Sequence, residues 1–189
     1  MQTTLESVHA RDCGTCSLCC KVYDVPSVQS VAGVWCQYFK RGTGCSIHAT
    51  RPQHCRDFFC DWILHPELPD TWKPEIAKFV LTTDPATRNM IVQVDPGARG
   101  AWRAEPYYSQ IKAWSRLALE QKRSVFVFVN KNLTVVLPDR DVELGQMKPD
   151  ETVRFRRETR NGRDHIEVWK EQLNAPPPQS FNAFTATMR

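Results

Sequence analysis

A chain of 189 residues with 41% apolar and 24% charged side chains has the composition of a globular protein, long enough for one core or two small ones. Its net charge of +4 is too mild to make nucleic acid an obligatory partner, and no apolar run approaches the ~20 residues that a membrane span requires. No basic cluster leads into an apolar stretch at the N-terminus, which predicts no secretory leader and a cytoplasmic location.

Residues 1–12 form a polar lead-in. All eight cysteines follow between positions 13 and 60: Cys13, Cys16, Cys19, Cys20, Cys36, Cys45, Cys55 and Cys60. The run Cys13-Gly-Thr-Cys16-Ser-Leu-Cys19-Cys20 places four thiols in eight residues, as two CxxC spacings sharing a cysteine and a fourth thiol directly after. Thiols this crowded serve either a metal or a disulfide framework, and in the cytoplasm disulfides are rare. The reading is therefore metal. Residues 13–72 show no sustained helical or strand period, so they bury little apolar area against the entropy of ordering them. A bound metal would supply the missing stabilisation. Phe58, Phe59, Trp62, Ile63 and Leu64 are expected to pack against the rest of the protein, and Pro66 and Pro69 mark a bend or boundary. Residues 1–72 carry six Lys/Arg against seven Asp/Glu, so this part presents no cationic surface.

From Trp72 onward the pattern becomes α+β. Ile76–Leu81 and Met90–Val94 read as short strands joined by a turn at Thr-Thr-Asp-Pro-Ala-Thr-Arg. Glu105-Pro106 opens a helix whose Tyr107, Ile111, Trp114 and Ala118 share one apolar face over about four turns. Val125–Val129 and Leu133–Leu137 flank Asn-Lys-Asn, a hairpin signal, and Thr152–Arg156 and His165–Trp169 flank a second one with Asn161-Gly162 at its turn. Residues 174–189, beginning Asn-Ala-Pro-Pro-Pro, read as a flexible tail. The predicted fold is α+β: an irregular metal-bound Cys-rich N-terminal domain (1–72) packed on a small, mostly antiparallel sheet with one covering helix (73–173).

Eight thiolates would fill two tetrahedral zinc sites. An iron–sulfur cubane also takes four thiolates, three of them commonly from one CxxCxxC run, and Cys13, Cys16 and Cys19 have that spacing. The ferredoxin-type fourth cysteine, three residues on and followed by Pro, is missing. Cys19 and Cys20 are adjacent and their side chains tend to diverge, so Cys20 could serve a second centre. Cys36, beside Trp35, Tyr38 and Phe39, could instead be a buried apolar thiol. Spacing leaves zinc and iron–sulfur both open.

After the opening run come Cys36, then Cys45-Ser-Ile-His48, Arg51-Pro52, His54-Cys55-Arg56 and Cys60. This order, CxxCxxCC and then C-x-I-[Tyr/His]-x-x-x-R-P-x-x-C-R, resembles the YkgJ-type CxxCxxCC cysteine-cluster family of zinc- or iron-chelating proteins over residues 13–60. The resemblance implies that all eight cysteines are ligands and that Arg51 and Arg56 sit close to the bound group. Clustered thiolates carry excess negative charge, and a guanidinium nearby can donate hydrogen bonds to sulfur. The alternative for both arginines is an ion pair with Asp57 or Asp61. His48 stands where the family accepts Tyr as well, which favours hydrogen bonding over ligation. His54 is read as exposed, and His9, His65 and His165 as ordinary. A flagellin lysine methylase is similar in its cysteine motif.

Arg154, Arg156, Arg157, Arg160 and Arg163 put five guanidiniums in ten residues, with Arg154 and Arg156 opposite Val153 and Phe155. Such a face could meet RNA or an acidic protein, but no aromatic platform accompanies it, and a solvated strand explains it as well. No Walker loop, GxGxxG after a strand, GxSxG or HExxH is present, so no catalytic residue is assigned. The sequence thus predicts a metal-binding protein holding zinc or an iron–sulfur cluster, in electron transfer or metal handling. The alternatives are a structural zinc module presenting the basic α+β half to RNA or a protein partner, and a methyltransferase- or oxidoreductase-like enzyme. No Gly-rich S-adenosylmethionine-binding loop supports the last.

Overall fold

A computed structural model of the chain describes residues 11–160 and 163–173. His9, the Asn161-Gly162 turn and the 174–189 tail of the sequence reading lie outside the described residues. The fold is mixed α+β, as expected from the sequence.

Within the cysteine-bearing third, secondary structure comes in short pieces, as the lack of periodicity predicted. They are α1 (Cys19–Val22), β1 (Phe39–Lys40), β2 (Gly44–Cys45), α2 (Gln53–Arg56) and α3 (Asp61–Leu64), with 3₁₀ turns between them. No helix here exceeds four residues. Next comes α4 (Pro74–Ala77), with Pro in its first turn where the missing N–H costs nothing, ended by Lys78 at φ 62°. The strand expected at 76–81 therefore begins later, as β3 (Phe79–Thr83). The proline-led turn captured Ile76 and Ala77 before the β-rich residues could.

β4 (Met90–Val94) lies where predicted and pairs antiparallel with β3. The expected helix is α5 (Tyr107–Glu120), which crosses over so that β4 and β5 (Val125–Val129) run parallel. β5 turns through Asn130, at φ 54°, and Lys131 into β6 (Asn132–Val136). A further strand, β7 (Asp141–Gln146), was not predicted; it pairs with β6 through a register shift at Leu133/Thr134. The sheet order is β3-β4-β5-β6-β7, with three antiparallel pairings and one parallel. The second predicted hairpin is longer than its apolar pattern suggested: β8 (Glu151–Arg160) and β9 (Arg163–Gln172) form a separate two-stranded ribbon.

Strand alternation separates two packed faces. Phe79, Val92, Val94, Val125 and Val127 join a buried cluster with Ile111 of α5, and Tyr107, Trp114 and Ala118 pack on it, so the predicted helix face is a core face. Phe126, Leu133 and Val135 point the other way, where Val153, Phe155, Ile166 and Val168 of the ribbon cover them. Leu18, Val22, Cys60, Trp62 and Trp72 belong to the same buried cluster as Phe79 and Val80. The cysteine-bearing segment is thereby fastened to the sheet along β3. Asp61, 4% exposed, accepts hydrogen bonds from the Thr83 backbone N–H (3.1 Å) and hydroxyl (2.9 Å). It satisfies an outward-facing donor at the end of an edge strand.

Candidate metal centre

Local backbone contacts decide where each thiol sits. Arg11 donates to the carbonyls of Trp62 (3.1 Å) and Pro66 (2.9 Å) and lies over the Trp62 ring at 4.7 Å. That ties the start of the cysteine run to the segment just after Cys60. Gly14 takes a left-handed conformation, φ 52°, inside the turn that the Cys16 N–H closes on the Cys13 carbonyl at 2.9 Å. Cys19 and Cys20 open α1, where successive side chains diverge by about 100°.

The Cys20 carbonyl accepts the Cys36 N–H at 3.0 Å, and the Cys36 carbonyl accepts the Phe39 N–H at 2.9 Å. Phe39 in β1 is then the direct partner of Cys45 in β2. Arg51 holds the next turn, donating from Nε to the Cys55 carbonyl (3.3 Å) and from Nη1 to the His48 carbonyl (2.6 Å). Cys60 precedes α3 and is buried, as is Cys36; the other six thiols are half-buried.

These threads bring all eight cysteines to the wall of one cavity of about 530 Å³. Val80, Thr82 and Ile91, on the sheet face opposite Phe79, form part of its floor, with Phe58, Phe59 and Trp62 beside them. None of the eight cysteines is in a disulfide. Among the described residues, no three Cys, His, Asp or Glu side chains already stand grouped as a metal-ion site.

Burial raises the thiols of Cys13, Cys16, Cys45 and Cys55 above their ordinary range, and pushes Cys60 up to about 11. Neighbouring thiols add to each rise except at Cys16, where Glu75 takes that part. A hydrogen bond between Cys19 and Cys20 acts oppositely on its two ends, raising Cys19 and lowering Cys20, so Cys19 keeps the proton and donates it to sulfur. The Arg51 charge works against the rise at Cys13, Cys45 and Cys55.

Of the two arginines singled out from sequence, Arg51 lines the cavity, whereas Arg56 is exposed and is not among its lining residues. The alternative ion pairs with Asp57 or Asp61 do not form among the described residues: Asp57 accepts from Gln53 and Asp61 from Thr83. His48 is exposed, with its Nδ1 3.3 Å from the Arg51 guanidinium; burial and the Arg51 charge lower its pKa. His54 is exposed at the rim. Sequence reasoning missed Arg11 and Asp61 as the side chains that dock this segment, because their partners, backbone carbonyls for Arg11 and the Thr83 N–H and hydroxyl for Asp61, are remote in the chain. No local pattern announces such contacts.

In the ribbon, Val153 and Phe155 face the core as alternation required. Arg154 pairs with Glu171, and Arg156 lies 3.6 Å from Glu167 and over the Trp169 ring at 5.5 Å. Arg154 and Arg156 thus face carboxylates of β9 across the strand pair, and the positive face of the sequence reading is partly neutralised.

The donor set suits a thiophilic metal: unbridged thiols on one wall, a guanidinium at the rim and aromatic packing beside them. Metal–sulfur bonds of about 2.3 Å would require the thiols to draw together from these positions. Comparison with known proteins finds no matching family model, no matching curated protein and no matching solved structure.

Proposed function

We propose that this protein binds zinc or an iron–sulfur cluster through its eight cysteines and acts in electron transfer or metal handling. One observation carries the reading. Eight thiols from five separate stretches of chain line a single cavity, and none is spent on a disulfide. A buried apolar thiol needs no such company, and a redox dithiol needs only two.

Bound zinc would supply a cross-link fixing this segment, while an iron–sulfur cluster would supply one-electron transfer. The chain's own residues do the rest. Phe58, Phe59 and Trp62 restrict water on the sheet side. Arg51 places positive charge where thiolate charge accumulates. Asp61 and Arg11 hold the two ends of the cysteine segment in place.

The test is metal content after anaerobic purification without chelators. Brown protein with broad absorbance that bleaches on reduction identifies iron–sulfur, and colourless protein carrying zinc identifies the structural ion. Metal-free protein that is fully folded overturns the proposal.

A further inference from the structure

The eight thiols are not equivalent, and their backbone connections sort them. Cys13 and Cys19 pack against the buried cluster to which Cys60 belongs, and the Cys13–Cys16 turn carries Cys16 with them. Arg11 fastens this same end to Trp62 and Pro66, beside Cys60. On the other side, Cys20 is joined to Cys36 by a backbone hydrogen bond, Cys36 to Phe39 by another, and Phe39 to Cys45 by strand pairing. Arg51 continues this side, donating to the carbonyls of both His48 and Cys55 and so tying Cys55 to the turn that follows Cys45. The two sides touch at Cys19 and Cys20, whose side chains share a hydrogen bond.

We infer that the eight cysteines form two adjacent four-thiolate centres, Cys13/Cys16/Cys19/Cys60 against the sheet and Cys20/Cys36/Cys45/Cys55 on the outer loops, joined at the Cys19–Cys20 peptide. This rests on the metal-binding reading above and assigns the ligands within it. Four thiolates are the complement of one tetrahedral zinc or one cubane. A set drawn from Cys13, Cys16, Cys19 and Cys20 alone is disfavoured, because the Cys20 peptide is held to Cys36 while Cys19 packs against the cluster that contains Cys60.

The two centres also differ in setting. The first is flanked by buried Ser17, Leu18, Trp62 and Ile63, and the second by exposed Gln37, Ser46, His54 and Arg56. The outer metal therefore exchanges first when a chelator is added.

The reduced, metal-free full chain is titrated with cadmium-113, and each metal resonance is correlated with the β-protons of the cysteines that bind it. Two resonances are expected, one correlated with Cys13, Cys16, Cys19 and Cys60 and the other with Cys20, Cys36, Cys45 and Cys55. A metal correlated with a mixed set, such as Cys45 together with Cys60, overturns the assignment while leaving metal binding intact. Failure to bind cadmium at all removes both this inference and the function it rests on. As a second measurement, the variants C16S/C60S and C45S/C55S are each expected to retain half the metal of the natural chain, and C55S/C60S to retain none. Equal loss in all three contradicts two separate centres.

Discussion

Cys60 carries a pH dependence whose sign depends on whether metal is present. In the metal-free protein its thiol is raised from 9.0 to about 11, first by burial and then by the Cys13 and Cys16 charges. The folded state holds the proton more tightly than the unfolded chain, so the stability this provides is intact below pH 9 and is lost as pH rises through 11. Metal-loaded protein has the opposite slope, because binding displaces the thiol proton: its stability should rise as the pH approaches 9, read by urea unfolding of the loaded chain. Asp61 is the second decisive side chain. Asp61→Ala leaves the Thr83 N–H and hydroxyl without their acceptor and should cost about 1–3 kcal/mol. Asp61→Asn keeps one acceptor oxygen and removes a carboxylate that burial already disfavours, so it should cost less in the same unfolding assay.

Between elements, the loop carrying Cys36 is set by one glycine. Gly33 sits at φ +94° and donates its N–H to the Lys21 carbonyl at 2.6 Å; a Cβ there would lie 2.7 Å from Oδ1 of Asn130, in the β5–β6 turn. Gly33→Ala should destabilise the protein by about 1–3 kcal/mol, since the backbone conformation itself is strained for any L side chain. Adding Asn130→Ala should recover only the contact part of that loss, which a double-mutant cycle by thermal unfolding separates from the backbone part. The elements legible in the sequence were those with strong periodicity: α5 through Tyr107, Ile111, Trp114 and Ala118, and the paired strands around Asn130 and across the ribbon. β7 escaped although Asp141, Val142, Glu143 and Leu144 alternate polar and apolar, because the run is short, ends at Gly145 and holds a single β-branched residue, none of the four being fully buried. α4 escaped because a single proline outweighed the β-rich residues after it. The cysteine positions were plain from sequence, but their convergence on one cavity was not, since it depends on remote contacts such as those of Arg11 with the Trp62 and Pro66 carbonyls.

Across the fold, stability is unevenly distributed. Strands β3 to β6 contribute a cluster of nearly inaccessible side chains, including Phe79, Val92, Val125 and Phe126, whereas the cysteine-bearing third offers single turns and two-residue strands. Removing metal from the loaded protein should therefore melt this third locally. Hydrogen exchange after chelation is expected to show protection lost between Cys13 and Cys60 and kept across β4, β5 and β6. Uniform loss over both regions would mean that the sheet itself depends on the bound metal.

That unevenness gives the β3 edge a particular consequence. Thr83 turns an N–H outward, and in the folded chain the Asp61 carboxylate occupies it while α3 covers the strand beside it. A chain whose N-terminal third has loosened presents that edge bare, with Phe79, Val80 and Leu81 next to it. Bare edges template strand addition from neighbouring molecules. The inorganic ions would then guard solubility as well as shape, and scarcity of metal would be felt by the cell as a tendency of this protein to self-associate.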